Sequence, residues 1–252
     1  MKSTSGAILG LMMLAGLLTA APARAEDAPQ SCDVPAYLLT TESELPKVAD
    51  AVKSGHSLDI LVIGSRSSTI NSSDASAYPA RLKAALREKL PSVAVNLSVE
   101  IQAKKSAEEA AAGFVKLMEA KKPILVIWQT GTVDAMRSIE PDDFRAAVEE
   151  GIAALQNAGA DVVLMNLQYS PRTETIISAP PYLDNMRMAA QSHDVPLFDR
   201  FAIMRQWSDA GDFDLFSAYR GPELAKRVHD CLGQALAKFV IDAAHLGPAQ
   251  QN

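Results

Sequence analysis

The sequence predicts an α/β fold: a three-layer α/β/α sandwich with a five-stranded parallel sheet, for which 2-1-3-4-5 is the common strand order. Two observations carry this. Short apolar runs recur along the chain, as strands covered on both faces require. Longer segments with helical apolar spacing and recognisable start and stop signals lie between them. The alternation runs from Leu58 onward without internal repeat or linker, which describes one domain.

Leu58 to Ile63 is the first strand, apolar around Asp59. Tyr78 to Leu90 has helical spacing in Leu82, Ala85, Leu86 and Leu90, and Pro91 ends it. Val93 to Ile101 alternates with a β period. Ser106 with Glu109 three residues on is a capping box that opens a helix over Ala107 to Ala120. The strand Ile124 to Trp128, a helix from Asp142 to Asn157 and the strand Asp161 to Asn166 follow. A helix over Pro181 to Ser192 leads to the short strand Val195 to Phe198, and Pro222 to Ala244 forms a closing helix.

Residues 1–25 read as a signal peptide outside the fold. Lys2 supplies the positive end, Ala7 to Leu18 the apolar stretch, and Ala23-Arg24-Ala25 a cleavage site. Cleavage leaves residues 26–252 as the mature domain, periplasmic or secreted, with no membrane span. The chain has 24 basic and 30 acidic residues, and losing Lys2 and Arg24 takes the net charge from −6 to −8. No basic run interleaved with aromatics occurs, which excludes nucleic acid as an expected partner. Two cysteines, Cys32 and Cys231, in an exported chain are expected to form one disulfide.

In open parallel sheets ligands sit beyond the carboxyl ends of the strands, where strand order reverses. Here that crevice lies between Gly64–Thr69 (GSRSST) and Gln129–Ala135 (QTGTVDA), with Asn166–Arg172 beside them. No His, Cys, Asp and Glu cluster has metal-ligand spacing, and no phosphate- or dinucleotide-binding glycine motif occurs. Neither metal nor cofactor is expected.

At these loops the chain resembles the SGNH/GDSL hydrolases, esterases and lipases on a five-stranded α/β/α fold. VIGSRSST is similar to their first motif, a strand ending in GDS with threonine two residues after the serine nucleophile. Gly131-Thr132-Val133-Asp134 resembles their third motif, GxND. Counted back from Thr69 the nucleophile is Ser67; counted from Gly64 that place falls on Arg66, and Ser65 is the alternative nucleophile. The family's oxyanion glycine has no counterpart in Ala103-Lys104-Lys105-Ser106, and Val133 replaces its asparagine. The last motif, DxxH, reads Asp214-Leu215-Phe216-Ser217, so the nearest histidine able to act as base is His229.

The resemblance implies an ester hydrolase acting on a small-molecule or glycan ester, with Ser67, His229 and Asp214 as the catalytic set. Gln129, Gly131, Thr132, Arg66 and Arg172 are the candidates for oxyanion and substrate contacts. The altered motifs keep a second expectation open: an inactive descendant that binds an acylated or anionic glycan in the same crevice.

Overall fold

A computed structural model describes residues 32–70, 74–216 and 221–247. The segment expected to be a signal peptide, Ser217 and the short stretch after Ile70 lie outside the described residues.

The first helix, α1 (Pro46–Lys53), precedes the central strand β1 (Leu58–Gly64). Helix α2 (Tyr78–Lys89) crosses to β2 (Val95–Ile101); α3 (Ala107–Ala111) and α4 (Phe114–Lys121) cross to β3 (Leu125–Gln129). After β3 come α5 (Thr132–Arg137), α6 (Pro141–Asn157) and β4 (Asp161–Met165). Then α7 (Pro171–Glu174) and α8 (Pro180–Ser192) lead to β5 (Leu197–Phe198), α9 (Arg200–Asp209) and the long α10 (Gly221–Ala243). The five strands are parallel in the order β2-β1-β3-β4-β5, as the sequence predicts.

Several boundaries differ for physical reasons. The helix expected over Ala107 to Ala120 is two helices, because Gly113 interrupts it and serves as N-cap of α4. The capping box at its start is present, with Ser106 Oγ accepting from Glu109 N–H. β2 starts at Val95, after the turn that closes α2. β5 contracts to Leu197–Phe198 because only Leu164 and Met165 of β4 pair with it.

β1 is buried from Ile60 to Gly64, flanked by β2 on one side and β3 on the other. Each fully buried aliphatic side chain there contributes roughly 1.5–3 kcal/mol. Trp128 on β3 packs edge-on to Phe114 at 4.9 Å. Its close partner is Gly151 of α6, where a Cβ would sit 2.5 Å from the indole. Gly233 plays the same part where α10 crosses α2, since a Cβ would lie 2.4 Å from Arg81 Cβ.

The two ends of the described chain are joined. Cys32 and Cys231 form the expected disulfide, with Cα atoms 5.0 Å apart, and Leu45 N–H donates to the Ala243 carbonyl at 3.0 Å. Among the described residues no helix is long and apolar enough to cross a membrane.

Candidate active site

β1 ends at Gly64, and the chain turns at once into a 3-10 turn over Arg66–Ser68. Gly64 is required there: a Cβ would sit 2.1 Å from Ser68 Oγ. Ser65 caps the turn, its hydroxyl accepting from Ser67 N–H at 3.3 Å. That bond occupies the Ser67 N–H, which at the start of a turn would otherwise be an orphan donor for an oxyanion.

Because β3 lies beside β1, Gln129 comes up against this turn. Its Nε2 donates to Ser67 Oγ at 2.7 Å and to Ser65 Oγ at 3.1 Å. Its Oε1 accepts from Ser68 Oγ at 2.6 Å and from the Tyr78 hydroxyl at 3.4 Å. One carboxamide therefore holds three serines and a tyrosine.

Arg200, at the first position of α9, enters from the end of β5. It is fully buried. Nη1 donates to Ser67 Oγ and Nη2 to the Ser67 carbonyl, both at 3.2 Å, and Nη2 reaches Gln168 Oε1 at 3.4 Å. The guanidinium lies over the Tyr78 ring, 5.6 Å from its centroid. Burial lowers its pKa to about 10, so it is charged at neutral pH.

Gln129 and Arg200 both donate to Ser67 Oγ, which also shares a hydrogen bond with Ser65 Oγ, 3.0 Å away.

The expected base, His229, is engaged elsewhere. His229 is buried on α10, and its Nδ1 accepts from the backbone N–H of Tyr78 at 2.9 Å. Tyr78 opens α2, and Ala77 before it supplies no side-chain cap, so the imidazole satisfies an orphan helix donor. Accepting at Nδ1 fixes the neutral ring as the Nε2–H tautomer. Burial first, and the Arg200 charge second, lower its pKa to about 3. No hydrogen bond joins it to Ser67 among the described residues. Asp214 lies partly buried in the turn after α9.

Across the crevice, Gly131 caps α5 at φ 96°, and a Cβ there would lie 2.6 Å from Leu167 Cδ1. Thr132 Oγ1 is buried without a partner, as is Asp134 Oδ2. Asp134 Oδ1 accepts from Ala107 N–H at 2.9 Å; burial raises the carboxyl pKa, against that bond. Gly64, Ser65, Gln129, Gly131, Thr132, Val133 and others enclose a cavity of about 20 Å³, room for a single water.

The second-motif loop departs from expectation in an informative way. Lys104, where no glycine stands, has φ 64°, the left-handed conformation glycine usually serves. Arg137 holds it there: Nη2 donates to the Lys104 carbonyl at 2.6 Å and Nη1 pairs with Glu109 at 3.0 Å. Arg66 and Arg172 are exposed. Sequence reasoning missed Arg200, Tyr78 and Ser68. Arg200 follows the last strand directly, and the rule that sites gather at strand ends would have included it.

The family profile described as non-GDSL lipase-like matches residues 31–246. No curated protein matches the chain. A two-domain esterase active on acetylated mannans superposes with a TM-score of 0.66 at 13% identity, covering 84% of this chain and 57% of its own. The psychrotrophic esterase EstA from Pseudoalteromonas sp. gives 0.55 at 15% identity, covering 72% and 97%. AlinE4, an SGNH-hydrolase family esterase, gives 0.52 at 19% identity, covering 62% and 82%. At such identities the structural likeness is one of fold. The family profile spans most of the chain, and the 2-1-3-4-5 sheet with a serine loop at its switch point is the fold of these esterase structures: the chain belongs to the non-GDSL lipase-like family.

Proposed function

We propose that the protein is an exported acyl or O-acetyl esterase in which Ser67 is the nucleophile. The observation that carries this is the pair of N–H donors on Ser67 Oγ, from Gln129 and Arg200, at the carboxyl end of the central strand. Two donors, one of them cationic, stabilise negative charge on that oxygen. The acetylated-mannan activity of one fold neighbour suggests a carbohydrate acetyl ester as substrate.

In the reaction, Ser67 Oγ bonds to the ester carbonyl carbon as the π pair moves to the carbonyl oxygen. The Ser67 proton passes to Ser65 Oγ, and the Ser65 proton passes to hydroxide in the crevice. The carbon–oxygen bond to the alcohol then breaks, the alcohol leaves with a proton from water, and a second water releases the acid from Ser67. Thr132 Oγ1 is the donor still free to meet the developing oxyanion. Val133 supplies none.

A second reading, a module that binds an acylated or anionic glycan without cleaving it, is favoured by the use of His229 as a helix cap. One experiment separates the two. Hydrolysis of an activated acetyl ester by the mature protein, lost by about 10³-fold or more in Ser67→Ala, supports the esterase. No turnover, with calorimetric binding of an acetylated oligosaccharide, supports the module.

A further inference from the structure

We propose that Arg200 is a catalytic residue of this site, the fixed positive charge that stabilises Ser67 Oγ as it loses its proton, in place of an adjacent imidazole. The inference rests on Ser67 being the nucleophile.

Three observations lead here. The first is that the guanidinium is fully buried and, among the described residues, no carboxylate pairs with it. The nearest acid in sequence, Asp199, turns its carboxylate to Ala202 N–H, Asn166 Nδ2 and Arg187 instead. A buried cation without an anion is costly, and its place in the first turn of α9 adds an unfavourable helix dipole.

The second observation is where the donors go. Both Nη atoms close on one residue, gripping the hydroxyl and the carbonyl of Ser67. The fork fixes the Ser67 side chain relative to its backbone, and Arg is the side chain built for such a grip. Nε is buried with no partner, so the group is not saturated by its surroundings. A purely structural role needs only a neutral donor, with no charge to desolvate.

The third is how firmly the charge is held. Asn166 at the end of β4 donates to Asp199 Oδ1 at 2.7 Å and accepts from Phe201 N–H at 2.9 Å. These bonds clamp both neighbours of Arg200, and the Tyr78 face covers the guanidinium. The charge is therefore preorganised beneath the reacting atom, the arrangement that stabilises an anion without reorganisation.

The test is the rate at which an organophosphorus fluoridate labels Ser67, followed by peptide mass analysis across pH 5 to 10, with circular dichroism to check the fold. Wild type should label at Ser67. Arg200→Met should label about 10²–10³-fold more slowly, with the rate profile moved to higher pH. Arg200→Lys keeps the charge but loses the fork, and should label at a rate between those of wild type and Arg200→Met. A folded Arg200→Met that labels like wild type overturns the role of Arg200 and leaves the Ser67 reading standing. If Arg200→Met does not fold, Arg200→Gln decides: it keeps a neutral donor without the charge, and labelling like wild type overturns the role. Absence of wild-type labelling at Ser67 removes the nucleophile reading and this inference with it.

Discussion

The two walls of the crevice are made of similar residues but treat their polar atoms in opposite ways. On the β1 wall the hydroxyls of Ser65, Ser67, Ser68 and Tyr78 all meet one another or Gln129. On the β3 wall Thr132 Oγ1 and Asp134 Oδ2 are buried with no partner. A closed network is rigid and fixes the nucleophile; open hydrogen-bonding capacity is what an incoming ligand can use. The difference is that one wall holds its hydroxyls in place, while the other leaves buried oxygens unpaired.

The sharpest break of that contrast is Gln129→Leu. It strips donors from Ser65 and Ser67 and the acceptor from Ser68 at once. Chemical denaturation should show a loss of about 2–4 kcal/mol, because buried hydroxyls are left unpaired. An unchanged midpoint would mean that the β1 wall is not a closed network.

Acid probes the same wall from behind. The His229 imidazole is held neutral down to about pH 3, whereas an unfolded chain takes that proton near pH 6.5. Between those values the unfolded state binds more protons, so stability falls as pH drops, by about 2 kcal/mol between pH 6.5 and 5. His229→Asn keeps an acceptor for Tyr78 N–H and removes the titration. Thermal melts across this range should show a shallower acid slope for the variant.

The β3 wall has the opposite sign. Burial raises the Asp134 pKa, so above the unfolded value the fold holds a proton that the unfolded chain releases. Its contribution is present at low pH and is lost as pH rises through the folded value. Asp134→Asn keeps the acceptor for Ala107 N–H without the charge. It should raise stability at pH 7 by about 1 kcal/mol. Thr132→Val, the smallest change in stability, should stay within about 0.5 kcal/mol of wild type because no hydrogen bond is broken. Its effect belongs to turnover, where a loss of about 10²-fold marks Thr132 as the oxyanion donor.

The strands were legible because an apolar run buried on both faces admits few alternatives, and Leu58–Ile63 and Ile124–Trp128 are such runs; their order is the common one for such a sheet. The short helices α5 and α9 were not, since each follows a strand directly and spends its apolar residues on local packing. At the site, Ser67 and Gln129 could be read from position, Ser67 lying in the polar turn just beyond β1 and Gln129 being the polar residue that ends β3. Arg200 could be read only as far as its place after the last strand, since its contact with Ser67 spans 133 residues, and Tyr78 not at all, since its bond to Gln129 spans 51. His229 shows the limit most plainly. Its order in the chain suggests a base, but the fold uses it on a helix donor 151 residues away.

The disulfide has a mechanical consequence. Cys32 and Cys231 are 199 residues apart, so a force applied to the two termini runs through the sulfur–sulfur bond and bypasses the sheet. The enclosed chain would otherwise pay out roughly 650–720 Å when drawn straight. While the bond holds, that length is withheld: only the tails extend, and the crevice between β1 and β3 carries none of the load. Reduction would transfer the pull to the hydrogen bonds that tie the lead-in to the domain, Trp207 Nε1–H to the Asp33 carbonyl and Leu45 N–H to the Ala243 carbonyl.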